Sequence, residues 1–81
     1  MAARYAFTPY FELVVLQRRA YLRKHWCVEV LLNPIRSETQ WNGRIRFWGV
    51  VAERPGYYLR VITLEDGATI HNAFFDRRFR P

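Results

Sequence analysis

GYYLRVITLEDGATIHNAFFDRRF, residues 56–79, is the stretch on which the fold turns. Two apolar runs of strand-like alternation flank Asp66-Gly67, a two-residue hairpin signal because both positions tolerate positive φ. The pairing that follows sets Glu65 opposite Ala68, Leu64 opposite Thr69, Ile62 opposite His71 and Arg60 opposite Ala73. One face then carries Leu59, Val61, Thr63, Ile70, Asn72 and Phe74, and is the core side. The other carries Tyr58, Arg60, Ile62, Leu64, Thr69, His71 and Ala73. The polar residues Arg60, Thr69, His71 and Asn72 interrupt an otherwise apolar hairpin, and a basic run, DRRFR, follows directly.

Upstream of the hairpin the same period-two texture continues, punctuated by Asn42-Gly43 and Pro55-Gly56. Strands are expected over residues 36–41, 44–52, 57–65 and 68–75, forming a four-stranded antiparallel meander. Placing Ile45 and Phe47 on the core side puts Arg44, Arg46 and Trp48 beside Arg60 and His71. That parity needs an odd-length or bulged connection around Arg54-Pro55-Gly56. An even one would bury Arg44 and Arg46 under the helices at high cost. Residues 11–16, FELVVL, fit a buried strand, with a helical start as the alternative. In residues 17–34 an apolar stripe of Tyr21, Leu22, Trp26, Val30 and Leu31 predicts a helix, with a break near Lys24-His25 that could split it in two. Asn33-Pro34 ends it. The expected class is α+β: an N-terminal strand and one or two short helices packed on the meander, as a single domain over residues 1–81.

The 81 residues allow one small core, and a 17% aromatic content supplies large apolar areas to it. A single cysteine, Cys27, excludes an internal disulfide and suits a reducing cytoplasmic location; in an apolar run it reads as a small core residue. No apolar run is long enough for a membrane span, and the first ten residues lack a signal-peptide pattern. Lys and Arg outnumber Asp and Glu, 13 to 7, for a net charge of +6, and all but one of the cations are arginine. The arginine fork suits phosphate and carboxylate, so the balance points to RNA or another anionic target.

Arg44, Arg46, Trp48, Tyr58, Arg60, Thr69 and His71 would share one surface, cations interleaved with aromatic rings, as a single RNA strand requires. Within it His71, Arg60 and Arg46 form the candidate catalytic set. Imidazole titrates near neutral pH, and an arginine pair can hold a phosphodiester while the 2′-hydroxyl attacks it, without metal. Arg44, Trp48, Tyr58, Thr69, Arg77 and Arg78 are the candidate nucleic-acid contacts. His25 reads as a helix-terminal structural residue or as a second acid–base partner. Asp76 is expected to pair with Arg77 or Arg78, or to cap the strand end. The sequence shows no metal-ligand spacing and no glycine-rich phosphate loop, so neither metal nor other cofactor is expected.

The segments RRAYLRKHW, VLLNPI, NGRIRFW and YYLRVITLEDGATIHNAFFDRRF resemble a family of short bacterial proteins placed near the RelE/ParE and BrnT toxins, in the broad group that includes barnase-like nucleases. The resemblance runs over about residues 10–79, and its most specific part is YLRV-x-TLEDG-x-T-x-HNAFFDRRF. It implies a toxin of a two-gene toxin–antitoxin module with an acidic antitoxin as partner. RelE-type members cleave mRNA, whereas ParE-type members bind DNA gyrase and are not nucleases. The matching positions would be Arg60 and His71, supported by Arg46 and Thr69. A nuclease toxin, a non-enzymatic inhibitor of a protein target and a plain nucleic-acid-binding module are the three readings.

Overall fold

The computed structural model describes residues 4–81. Its elements are β1 (Ala6–Phe7), a π-helical turn (Phe11–Val15) that runs into α1 (Leu16–Arg18), α2 (Lys24–Leu32), β2 (Arg36–Thr39), β3 (Ile45–Val50), β4 (Tyr58–Thr63) and β5 (Thr69–Phe75). The class is α+β, but the sheet is five-stranded and mixed, not a four-stranded meander. Its order is β1-β5-β4-β3-β2. The last four strands are antiparallel neighbours, while β1 joins β5 in parallel, Ala6 opposite Thr69 and Phe7 opposite Ile70.

The expected strand at residues 11–16 is helical instead. Thr8-Pro9 explains why. The Phe11 N–H donates to Thr8 Oγ1 at 3.0 Å, an N-cap bond, and Pro9 occupies the first helical position, where its missing N–H costs nothing. Helical spacing then puts Phe11 and Val15 on one side, both buried, and leaves Leu13 in solvent. The 17–34 stretch is divided in two, but by a non-helical turn at residues 19–23 that contains Tyr21, and not at Lys24-His25, which open α2. The Asn33 N–H closes α2 on the Glu29 and Val30 carbonyls before Pro34 stops it. Trp26, Cys27 and Val30 face the sheet. Cys27 is fully buried and its thiol is pushed up to about 12 by desolvation, which makes it an inert core group.

The helical layer and the inner sheet face enclose Phe11, Val15, Leu22, Trp26, Cys27, Val30, Val51, Leu59, Val61, Ile70 and Ala73. Each fully buried Leu, Ile, Val or Phe contributes about 1.5–3 kcal/mol of transfer free energy. The β3–β4 connection, residues 51–57, has the odd length that the arginine argument requires. Ile45 pairs with Thr63, Phe47 with Val61 and Gly49 with Leu59 on the inner face. Arg46 pairs with Ile62 and Trp48 with Arg60 on the outer.

Both hairpin loops are longer than two residues. In β2–β3 the Gln40 N–H bonds the Arg44 carbonyl, so Trp41-Asn42-Gly43 is a three-residue loop with Gly43 at φ +87°. In β4–β5 the Leu64 N–H bonds the Thr69 carbonyl, and residues 65–68 form the loop. Glu65 therefore does not pair with Ala68, though Leu64 does meet Thr69. Farther along, a bulge changes the register: Thr63 pairs with Ile70 but Ile62 with Asn72, leaving His71 as the extra residue. The predicted pairs Ile62–His71 and Arg60–Ala73 are replaced by Ile62–Asn72 and Arg60–Phe74. The core side is corrected with them. Asn72 and Phe74 lie on the outer face, and Ala73 and Phe75 turn inward, Ala73 fully buried.

Candidate nucleic-acid interface

The outer face of the sheet has its own cover. After β5 the chain folds back and seats Phe79, 6% exposed, on Trp48. The rings are stacked with centroids 5.0 Å apart and an interplanar angle of 13°. Tyr58 meets Phe79 edge-on at 5.2 Å, and the Arg36 guanidinium lies 4.8 Å from the Phe79 centroid. Asp76 holds this arrangement. Its Oδ2 accepts from Trp48 Nε1 at 2.9 Å and faces Arg60 Nη1 at 3.5 Å, while Oδ1 accepts the Arg78 backbone N–H at 3.0 Å. Burial pushes the Asp76 carboxyl up, but these N–H groups and the Arg60 charge outweigh it and leave the group below the usual carboxylate value. Asp76 does close the strand end, but its ion pair is with Arg60, not with Arg77 or Arg78.

Arg36, Glu38, Arg46, Trp48, Arg60, Asp76, Arg78, Phe79 and Arg80 enclose a cleft of about 370 Å³. Five guanidinium groups thus face two carboxylates. Arg46 and Glu38 are an ion pair at 4.0 Å, too long for a hydrogen bond. The Nε atoms of Arg46 and Arg60 are both buried and both lack a hydrogen-bond partner. The two arginines also flank the Trp48 ring, at 5.9 and 5.6 Å, and Arg60 lies 5.0 Å from Phe74. The cleft therefore pairs unsatisfied donors with excess positive charge, the combination an incoming oxyanion satisfies. Trp48 itself is 5% exposed, so its ring is covered by the tail and is no open stacking platform.

His71 is elsewhere on the outer face. Its ring stacks on Tyr10 with centroids 4.8 Å apart, and Nδ1 lies 3.0 Å from Thr8 Oγ1, the hydroxyl that caps the first helical segment. Desolvation by burial lowers the His71 pKa, and Arg44 lowers it further. No hydrogen bond or ion pair among the described residues joins His71 to Arg60 or Arg46. The structure thus brings Arg46 and Arg60 together and separates His71 from both; Arg44 is the cation that acts on it. The bulge is the cause, since it sets His71 outside the cross-strand register that the sequence implies.

The other predicted contacts divide similarly. Tyr58 borders the tail cluster. Arg78 lines the cleft, whereas Arg77 lines a separate hollow with Tyr21, Arg54, Tyr57 and Phe75. Thr69 opens β5 and closes the turn before it: its hydroxyl and backbone N–H both bond the Asp66 carboxylate, which is accordingly held below its usual pKa.

Sequence reasoning missed Arg36, Arg80, Phe79 and Asp76 as members of the cleft. It also missed Thr8 and Tyr10 beside His71, for which Thr8-Pro9 is a readable cap signal. His25 is the second residue of α2, and its Nε2 is 3.4 Å from Glu53 Oε2. With Glu29 one helical turn on, these residues could hold a metal ion.

No protein-family model, no curated protein and no solved structure matches the chain. No helix among the described residues is long and apolar enough to cross a membrane.

Proposed function

We propose that the protein binds a single strand of RNA through the outer face of its sheet, with phosphates seated in the arginine cleft beneath the C-terminal tail. The observation that carries this reading is that the buried Nε groups of Arg46 and Arg60 make no hydrogen bond, in a cleft where five guanidinium groups face two carboxylates. Phosphate contacts of this kind supply affinity and salt dependence without sequence preference. Bases would stack on Tyr10, Tyr58 or, with the tail lifted, Trp48.

A second reading, metal-independent RNA cleavage, is favoured by the neighbourhood of His71. A histidine held below its ordinary pKa is neutral at pH 7. In the tautomer whose Nδ1–H is donated to Thr8, its Nε2 lone pair is available to take a 2′-hydroxyl proton. Arg44, rather than Arg60 and Arg46, would then hold the scissile phosphate. A toxin–antitoxin module is the biological setting we propose for either reading, since an acidic antitoxin would suit the basic cleft.

Incubating the purified protein with a fluorescein-labelled RNA oligonucleotide in the presence of EDTA separates these readings. Binding alone leaves the RNA intact and is weakened in an Arg46→Ala, Arg60→Ala double variant. Cleavage shortens the RNA and is lost in His71→Ala while binding persists. Neither binding nor cleavage at low salt would refute both. Growth arrest on expression, relieved by the variant that abolishes the RNA effect, tests the toxin setting.

A further inference from the structure

On the opposite side of the fold, where α2 meets the β3–β4 loop, three donors from two elements come together. His25 and Glu29 are four residues apart on α2, hence on one helical face. Glu53 comes from the loop. Their ligating atoms all lie within 4.8 Å of one another. Ligands at about 2.0–2.2 Å from a tetrahedral ion stand roughly 3.3 Å apart. His25 Nε2 and Glu53 Oε2, at 3.4 Å, already have that spacing. Glu29 needs only a side-chain rotation to join them.

We propose that His25, Glu29 and Glu53 form a binding site for a divalent transition-metal ion of the zinc class. One imidazole and two carboxylates are a donor set that such ions accept, with further positions left to water.

A buried group beside the site gives an independent reason. Trp26 is 6% exposed, and its indole N–H lies in the interior without a hydrogen-bond partner. That N–H lies close enough to the Glu53 carboxylate to help hold it ionised. A buried donor behind a ligating carboxylate is the usual outer-shell partner that fixes a ligand's orientation.

The loop is also well anchored. The Arg54 N–H bonds the Val51 carbonyl at 3.0 Å, and the Arg54 guanidinium lies over the Tyr21, Trp26 and Phe75 rings. The other nearby cation, Lys24, is engaged by Glu12 and by the Phe7 ring. A bound ion would clip α2 to the β3–β4 loop, adding to the Arg54–Trp26 contact and the long, exposed His25–Glu53 contact that already join them.

The test is calorimetric titration of zinc chloride into the full chain, with thermal melts in parallel. One ion per chain is expected; at a zinc concentration about a hundredfold above the measured Kd, the midpoint should rise by about 10–20 °C. His25→Ala and Glu53→Gln, both exposed positions whose variants should keep the wild-type circular dichroism, are each expected to weaken binding by about tenfold or more. His71→Ala should bind zinc as the wild type does. Absence of one-to-one binding below 1 mM, unchanged affinity in both variants, or loss of binding in His71→Ala would each overturn the proposal.

Discussion

Asp76→Asn separates the two roles of the tail, stability and access to the cleft. The substitution removes the charge that faces Arg60 and leaves a single carbonyl oxygen, so either Trp48 Nε1–H or the Arg78 N–H loses its acceptor to the amide NH2. A hydrogen bond to a charged group is worth about 1.5–3 kcal/mol and a neutral one about 1 kcal/mol. The Arg60–Asp76 pair is partly exposed, with side chains at 21% and 13%, so screening limits its share to a few tenths of a kcal/mol. With one charge-assisted bond lost and the other made neutral, the loss is about 2–4 kcal/mol, which for a chain this short lowers the melting midpoint by about 10–30 °C.

RNA binding should move the other way. A phosphate about 6 Å from the former carboxylate charge is relieved of about 1 kcal/mol of repulsion at a dielectric between protein surface and water. That is roughly a fivefold lower Kd. Thermal melts by circular dichroism and fluorescence anisotropy with a labelled oligouridylate measure the two effects on one preparation. Weaker or unchanged RNA affinity, alongside the expected loss of stability, would refute the assignment of the cleft.

Three further outcomes follow from the geometry. Because burial and Arg44 set the folded-state pKa of His71 below its unfolded value, the unfolded chain binds more protons; stability is full above the ordinary histidine pKa of about 6.5 and declines as pH falls through it. Urea melts at pH 7.5, 6.5 and 5.5 should show that decline in the wild type and not in His71→Gln. Thr8→Ala removes the N-cap acceptor of Phe11 and should cost about 1 kcal/mol, with a change in the His71 ring shifts by NMR because the same hydroxyl meets Nδ1. Gly49→Ala places a Cβ 3.1 and 3.2 Å from the Val30 methyls and 3.4 Å from its Cα, so Val30 has to give by a few tenths of an ångström against the sheet; a loss of about 1–3 kcal/mol is expected in denaturant melts.

The parts of this fold that rest on backbone punctuation and charge burial are legible in the sequence. Asn33-Pro34 ends α2, and Asn42-Gly43, Pro55-Gly56 and Asp66-Gly67 all fall in turns. The cost of burying Arg44 and Arg46 leads to the odd β3–β4 connection and hence to the Trp48–Arg60 pairing. Tertiary choices are not so legible. FELVVL carries enough β-branching to suit a strand, and only the Thr8 cap and Pro9 ahead of it tip the balance to helix. The strand role at the N-terminus passes to Ala6-Phe7, a pair too short to signal itself.

The β5 bulge is the costliest omission. Nothing in ATIHNAFF marks His71 as the unpaired residue, yet that one insertion moves Asn72 out of the core, moves Ala73 in, and removes His71 from the arginines. The cleft itself depends on the tail folding back through Phe79. DRRFR reads as a basic run until its one aromatic ring is seen to be buried against Trp48.

The most direct test of the binding account is to follow the arginine side-chain Nε–H signals of ¹⁵N-labelled protein by NMR while a short oligouridylate is added. The Arg46 and Arg60 signals, whose Nε donors are buried without a hydrogen bond in the free protein, should shift strongly and saturably, and raising the salt should reverse the shift. Saturable shifts at other arginines with Arg46 and Arg60 unmoved, or no shift at any arginine at low salt, would contradict the claim that this cleft holds the phosphates.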